Sequence, residues 1–285
     1  MTVVEGAARI GPLLVGQVGA LIATGRPVAV SLTGGLDSRV SLAASRAERE
    51  HIDYFTHRRA GQAETDDDVA MARRIARKAR LPYRVIEVGR TVEPVELDVA
   101  LREATILGHG RATVAAYRTA FDSDTIHIRS NVGEVGRCFY RATQLGHQVP
   151  DSAAATTPEH LALVWARGAP SRSMVGAFAD WMDATAFRSV EGHDPLELFY
   201  WEHRLSCWHS NLLLETDFAT DSHVLFNARS ILSVMLSIRG EEACGGALLR
   251  QVIANLWPQL LRWPTKRQPA ERGVRTKIMD VIARR

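Results

Sequence analysis

Thr33-Gly34-Gly35-Leu36-Asp37-Ser38 is the stretch of this sequence whose residue types and spacing best suit chemistry. Two adjacent glycines permit a sharp bend and leave no Cβ to hold a ligand off the backbone. Thr33 and Ser38 bring hydroxyl donors, and a helix starting after the turn would aim its free N–H groups at an anion. Asp37 is the odd member. A carboxylate in a phosphate cradle has a use if it holds a Mg²⁺ that the phosphates share. No Gly-Lys-Ser/Thr follows, so the turn does not have the Walker A pattern. A second turn, Ser130-Asn131-Val132-Gly133-Glu134-Val135-Gly136-Arg137, sets a carboxylate between two spaced glycines.

The elements that must position these turns can be read from the flanking residues. Residues 28–32 form a β-branched apolar run between Pro27 and the first turn, which predicts a buried strand. Residues 52–56, 83–88 and 125–129 predict three more strands, with helices at about 38–48, 66–79 and 96–120 between them. Residues 10–23 predict an amphipathic helix packed on the sheet. The βαβαβ order gives a parallel sheet with right-handed crossovers. Ligands of such sheets bind beyond the carboxyl ends of the strands. Both glycine turns flank one crevice if the first and fourth strands are neighbours. The acidic run at 64–68 reads as dipole complement at a helix start and is given no chemistry.

Strand signals fade near Val149-Pro150-Asp151, and tryptophan-bearing helical patterns follow at residues 173–187, 194–217, 227–238 and 242–261. Residues 1–148 are therefore expected to be a nucleotide-binding α/β part. Residues 149–285 are expected to be a helical, substrate-side part of the same domain. At 285 residues, with 46% hydrophobic and 24% charged content, the composition is that of a globular protein. Its three cysteines have no C-x-x-C spacing, which argues against a disulfide framework or a zinc site and fits a reducing, cytoplasmic setting. A net charge of +3 is too mild to imply nucleic acid. The longest apolar stretch is too short for a membrane span.

The first turn resembles the Ser-Gly-Gly-x-Asp-Ser signature of the PP-loop ATP pyrophosphatases, with Thr33 keeping the hydroxyl of the first serine. Over most of its length the chain is similar to the synthetase domain of the asparagine synthetase family, which includes the β-lactam synthetases. The similarity is strongest at residues 27–89 and collinear through residue 267. It implies an α/β, PP-loop (HUP-like) fold: an open parallel sheet flanked by helices, with a mostly helical C-terminal half. It also implies a ligase that adenylates a carboxylate with ATP and Mg²⁺, releases pyrophosphate and passes the acyl group to an amine or ammonia.

By that resemblance Ser31, Leu32, Thr33, Gly34, Gly35, Asp37, Ser38 and Gly133 hold the nucleotide, and Asp37 holds the metal. Thr56, with His57, meets adenine through backbone groups. Glu134 stands at the position of the general base. Asp221 stands for a carboxylate that supports it, and His223 for an arginine. Lys266, in Trp263-Pro264-Thr265-Lys266-Arg267, stabilises transition-state charge. The family's next carboxylate, a second metal ligand, falls on Arg137. That charge reversal leaves three outcomes: the metal is held by Asp37 and phosphates alone, Arg137 replaces one cation, or ATP chemistry is lost.

Thr2 follows Met1 where the family's glutaminase has a cysteine, so no glutaminase is expected. Nitrogen would come from ammonia, a separate donor protein or an amine on the substrate. The expected partners are a small-molecule carboxylate and amine, with neither nucleic acid nor membrane. Two rival readings are sulfur transfer to a nucleoside or RNA, with Cys138 in the second turn, and a non-catalytic nucleotide-binding protein.

Overall fold

The computed structural model describes residues 1–61, 67–105, 108, 110–238 and 240–263. Among them, five strands form one sheet: β1 (Val28–Ser31), β2 (Ile52–Arg59), β3 (Tyr83–Val88), β4 (Ile126–Arg129) and β5 (Asp221–Val224). Every pairing is parallel and the order is β3-β2-β1-β4-β5. The first and fourth strands are thus neighbours, with Val28 opposite Ile126 and Val30 opposite Ile128. This is the open, doubly wound HUP-like arrangement, and its strand order reverses beside β1.

Helices α1 (Val3–Ile22), α2 (Leu36–Ala44), α3 (Asp67–Ala79), α4 (Val95–Ala104) and α5 (Arg111–Ala120) belong to the first half. After them come α6 (Pro158–Ala166), α7 (Arg172–Ala184), α8 (Pro195–Phe199), α9 (Ser210–Thr216), α10 (Arg229–Ser237), α11 (Gly240–Cys244) and α12 (Ala247–Leu256). Successive strand residues face opposite sides of a sheet. Val28, Val30, Ile126 and Ile128 accordingly join the larger core with Ile10 and Leu14 of α1, Val40 of α2 and Val252 of α12. Ala29 and Phe55 face the other way, onto Leu97, Leu101, Val114 and Tyr117 of α4 and α5. No helix among the described residues is long and apolar enough to cross a membrane.

Three elements depart from those expected. The single helix expected at 96–120 is two. Glu215 of α9, fully buried, accepts a bond from Thr105 Oγ1 at 2.8 Å and another from the Gly110 N–H, which ends α4 and starts α5. A Cβ on Gly110 would lie 2.7 Å from the Glu215 carboxylate, so glycine is what allows that approach. The helix expected at 194–217 is continuous but passes through a π-helical stretch, Tyr200–His209, between α8 and α9. Finally β5 was not expected, and its Asp-Ser-His-Val sequence lacks an apolar alternation.

Arg39 of α2 is completely buried, and its Nη1 donates to the carbonyls of Leu260 (3.1 Å) and Trp263 (2.6 Å). Burial pulls its pKa down to about 10, which still leaves it charged at neutral pH. The guanidinium thereby ties the segment 260–263 to the helix that follows the glycine turn. Arg39→Met should cost about 1.5–3 kcal/mol for each charged hydrogen bond lost, read as a lower urea midpoint. An unchanged midpoint would show that the tether contributes nothing.

Candidate active site

Because β1 and β4 are adjacent and parallel, the turns that follow them emerge side by side. In the first, Thr33 N–H donates to Ser38 Oγ at 3.1 Å, Gly35 N–H donates to Thr33 Oγ1 at 3.2 Å, and the two hydroxyls lie 3.0 Å apart. Gly35 has an ordinary φ of −75°, and a Cβ there would meet nothing nearer than Thr33 Oγ1 at 3.4 Å. Local packing therefore does not demand a glycine at 35. Its value is an open backbone surface at the N-terminus of α2, where no side chain caps the helix. Gly34 N–H is already bonded by an anion, Asp68 Oδ1 of α3, at 3.2 Å. The last residue of the acidic run thus reaches the turn, correcting the expectation that the run has no part in the site.

The second turn is the short 3-10 segment Gly133–Arg137, entered and left by left-handed residues, Val132 (φ 76°) and Cys138 (φ 54°). A β-branched residue in that region is strained by roughly 1–3 kcal/mol, so surrounding packing must hold the turn in place. Part of the hold is the paired approach of the two turns. Arg137 donates Nε to Asp37 Oδ1 at 3.1 Å and Nη2 to Asp37 Oδ2 at 2.9 Å, a bidentate and largely buried pair. Gly133 makes the closeness possible, because a Cβ there would lie 2.9 Å from Asp37 Oδ1 and 3.2 Å from Phe226. Gly133→Ala should therefore cost about 1–3 kcal/mol of stability as an overpacking change. A thermal melt identical to wild type would contradict that.

Glu134 sits beside this pair, with Oε1 4.0 Å from Arg137 Nη2 and Oε2 buried without a hydrogen-bond partner. Burial and then the charge of Asp37 push its pKa up to about 7, against the opposing pull of Arg137. A carboxyl poised near neutrality, with one oxygen uncommitted, is suited to accept a proton. Tyr200, at the start of the π-helical stretch, is fully buried, and burial followed by the Glu134 charge raises its pKa.

These donors test the expected ligands differently. The N-terminus of α2 and the 33–38 turn fit a polyphosphate, since Gly34 N–H already bonds one anionic group, Asp68, and no side chain caps the helix. A Mg²⁺ on Asp37 does not fit: both carboxylate oxygens are taken by Arg137, whose charge occupies the place of the cation. Among the described residues, no group of three His, Cys, Asp or Glu side chains is arranged to hold a metal. Of the three outcomes of the charge reversal, the Arg137–Asp37 pair is compatible with two: Arg137 in place of a cation, or ATP chemistry lost.

Ser31, Thr33, Gly34, Gly35, Asp37, Ser38 and Gly133 lie at the convergence of the turns, as do Glu134 and Arg137. Leu32 is core: it is fully buried, its N–H donates to Phe55 O, and its carbonyl accepts from Thr56 Oγ1. Thr56 does not offer its backbone to a ligand. Tyr54 and Ala60 N–H groups point to the β3 side, donating to Pro82 and Val88 carbonyls, so by alternation Thr56 also faces β3. His57 faces the other edge, beyond the end of β1, and is the residue whose backbone is open there. Asp221 is also misplaced by the resemblance: it is exposed at the start of β5, the opposite end of the sheet, and pairs with Arg26. His223 is bonded to Gln17 Oε1 at 3.0 Å. Lys266 lies outside the described residues. Cys138 is buried, and its bond to Cys244, then burial, raises its pKa, the reverse of what a reactive thiol needs.

No protein-family model matches the chain, and no curated protein does. Solved structures similar to it include an ammonia-dependent NAD synthetase from Campylobacter jejuni, at 15% identity and a TM-score of 0.33, covering 77% of this chain and 93% of that one. An NMN synthetase from Francisella tularensis matches at 11% identity and a TM-score of 0.31, over 86% of this chain and 96% of that one. An NAD⁺ synthetase from Burkholderia pseudomallei matches at 16% and 0.26, over 92% of this chain and 91% of that one. Likenesses this slight carry no argument about chemistry.

Proposed function

We propose that this chain is an ATP-dependent, AMP-forming ligase of the asparagine synthetase-like kind, which adenylates a carboxylate and passes the acyl group to an amine or ammonia. The observation that carries the reading is the meeting of a phosphate-type turn with a buried, uncommitted Glu134 at the ends of neighbouring strands. ATP, as its Mg²⁺ complex, is a substrate. Its departing pyrophosphate lies on the 33–38 turn and the α2 N-terminus, where Gly34 N–H exchanges Asp68 for phosphate oxygen. The substrate carboxylate attacks the α-phosphorus, giving an acyl-adenylate and pyrophosphate. Arg137 supplies positive charge beside the developing anion, the kind of fixed electrostatic help expected to dominate. The amine nitrogen then attacks the acyl carbon, AMP leaves, and the proton lost from nitrogen passes to the Glu134 carboxylate.

The Arg137–Asp37 pair favours a second reading, nucleotide binding without turnover, since it fills the place of a metal ligand. The sulfur-transfer reading has no support from Cys138. Incubation of α-labelled ATP with a panel of carboxylates, with and without ammonia, separates the first two. The ligase reading expects AMP that depends on one carboxylate. Nucleotide binding with no AMP from any carboxylate would replace it with the second.

A further inference from the structure

A cavity of about 650 Å³ lies behind the second turn, walled on one side by Val135 and Cys138 and on others by α8, α10 and α11. Its volume falls within the roughly 300–1,000 Å³ of small-molecule sites. One carboxyl on its wall has no hydrogen-bond partner among the described residues. Glu197, in the first turn of α8, is only 6% exposed, and neither of its oxygens accepts a hydrogen bond.

The Arg141 guanidinium on the same wall is already committed. Arg141 spends its donors on the carbonyls of Gly146, Val149 and Pro150 and on both oxygens of Asp194. Asp194 also caps α8, accepting Leu196 N–H at 2.8 Å. Four acidic side chains line the space (Asp151, Glu191, Asp194, Glu197), with two guanidiniums (Arg141, Arg188) and two imidazoles (His147, His193). The lining also has an apolar part, from Met235, Leu236, Ile238 and Ala243. Burial, followed by the charge of Asp194, pushes the Glu197 pKa well up, against the pull of Arg141 and Arg137. Ionising an unpaired buried carboxyl is costly, and a cationic donor from outside would relieve that cost. A neutral donor would leave that cost in place.

We infer that this cavity binds an amphipathic primary ammonium compound, with Glu197 holding the ammonium group and the apolar wall covering its hydrocarbon part. The compound is the acyl acceptor of the reaction. That assignment rests on the ligase reading, whereas the binding itself does not. Val135 belongs to both the cavity wall and the Glu134 turn, and that shared residue is what links the cavity to the ligase reading.

Calorimetric titration without ATP, using n-hexylamine hydrochloride, n-hexanol and sodium hexanoate, tests the site. Hexylamine should bind about tenfold or more tighter than hexanol, the effect of one charge-assisted bond, and hexanoate should bind weakest. Glu197→Gln, which is isosteric, should abolish the preference for amine over alcohol while leaving hexanol affinity as in wild type. Met235→Trp, which fills the cavity from its apolar side, should weaken hexylamine and hexanol alike and keeps the test open if the Gln variant misfolds. Equal affinity for amine and alcohol in wild type, or a preference that survives Glu197→Gln, would overturn the inference. Amine binding through Glu197 with no AMP from any carboxylate would refute the ligase reading and leave the site standing. AMP formation without amine preference would do the reverse.

Discussion

Glu134→Gln is expected to keep carboxylate-dependent pyrophosphate exchange while losing about 10²–10⁴-fold in amide formation, the effect of removing a positioned base. The base is needed only once the acyl-adenylate exists, so the two half-reactions should part. The same group sets a pH dependence. With Glu134 near pKa 7, the amide-forming step should rise with pH through about 7 in wild type, and this limb should vanish in the variant. The stability effect has the opposite sign. The folded pKa is raised above the ordinary carboxylate value of 4.5, so the fold holds a proton that the unfolded chain has released. Stability should therefore fall as pH rises from about 4.5 to about 7, by roughly 3 kcal/mol in all at about 1.4 kcal/mol per unit. Glu134→Gln should flatten that slope in urea titrations at pH 5 and 8. A variant with wild-type amide formation, or one that loses exchange alone, would remove Glu134 from the role given to it.

Arg137→Met should be the most destabilising change at the site. It leaves Asp37, with a side chain 14% exposed, next to Glu134 and without its bidentate partner. Breaking a buried pair on one side costs about 3–5 kcal/mol, because the surviving charge is stranded. Adding Asp37→Asn to the Met variant should recover much of the loss, since the stranded charge is then gone. Non-additivity above about 1 kcal/mol in the four-protein cycle would express that coupling. A loss below about 1 kcal/mol in Arg137→Met, or strict additivity, would show that Arg137 does not balance these carboxylates.

What the residues disclosed, and what they hid, divides along physical lines. The strand at 28–32, its glycine turn and α2 were legible because a β-branched run, Gly-Gly and a helical stretch are all local signals. Adjacency of β1 and β4, and with it the meeting of Asp37, Glu134 and Arg137, stood in the sequence only as a condition, because strand order is not a local signal; the pairing of Val28 with Ile126 meets it. β5 was hidden because Asp221, Ser222 and His223 give an edge strand no apolar rhythm. The break at 105–110 was hidden because its cause, Glu215, is distant in sequence. Asp68, Tyr200 and Glu197 drew no chemical reading for the same reason: what makes them notable is a tertiary neighbour or the loss of water, and neither leaves a local pattern. The Thr56 assignment failed by one residue. Strand alternation decides which backbone groups face a ligand, and only the register against β3 shows that His57, not Thr56, faces the gap.

The central claim is that a substrate carboxylate oxygen becomes bonded to the α-phosphorus of ATP. The most direct test is to supply the carboxylate that supports AMP formation with both oxygens replaced by ¹⁸O and to weigh the products of a single turnover with the amine. The account predicts one ¹⁸O in AMP and none in pyrophosphate. Label in inorganic phosphate with ADP as the nucleotide product, or AMP carrying oxygen from water alone, would contradict it.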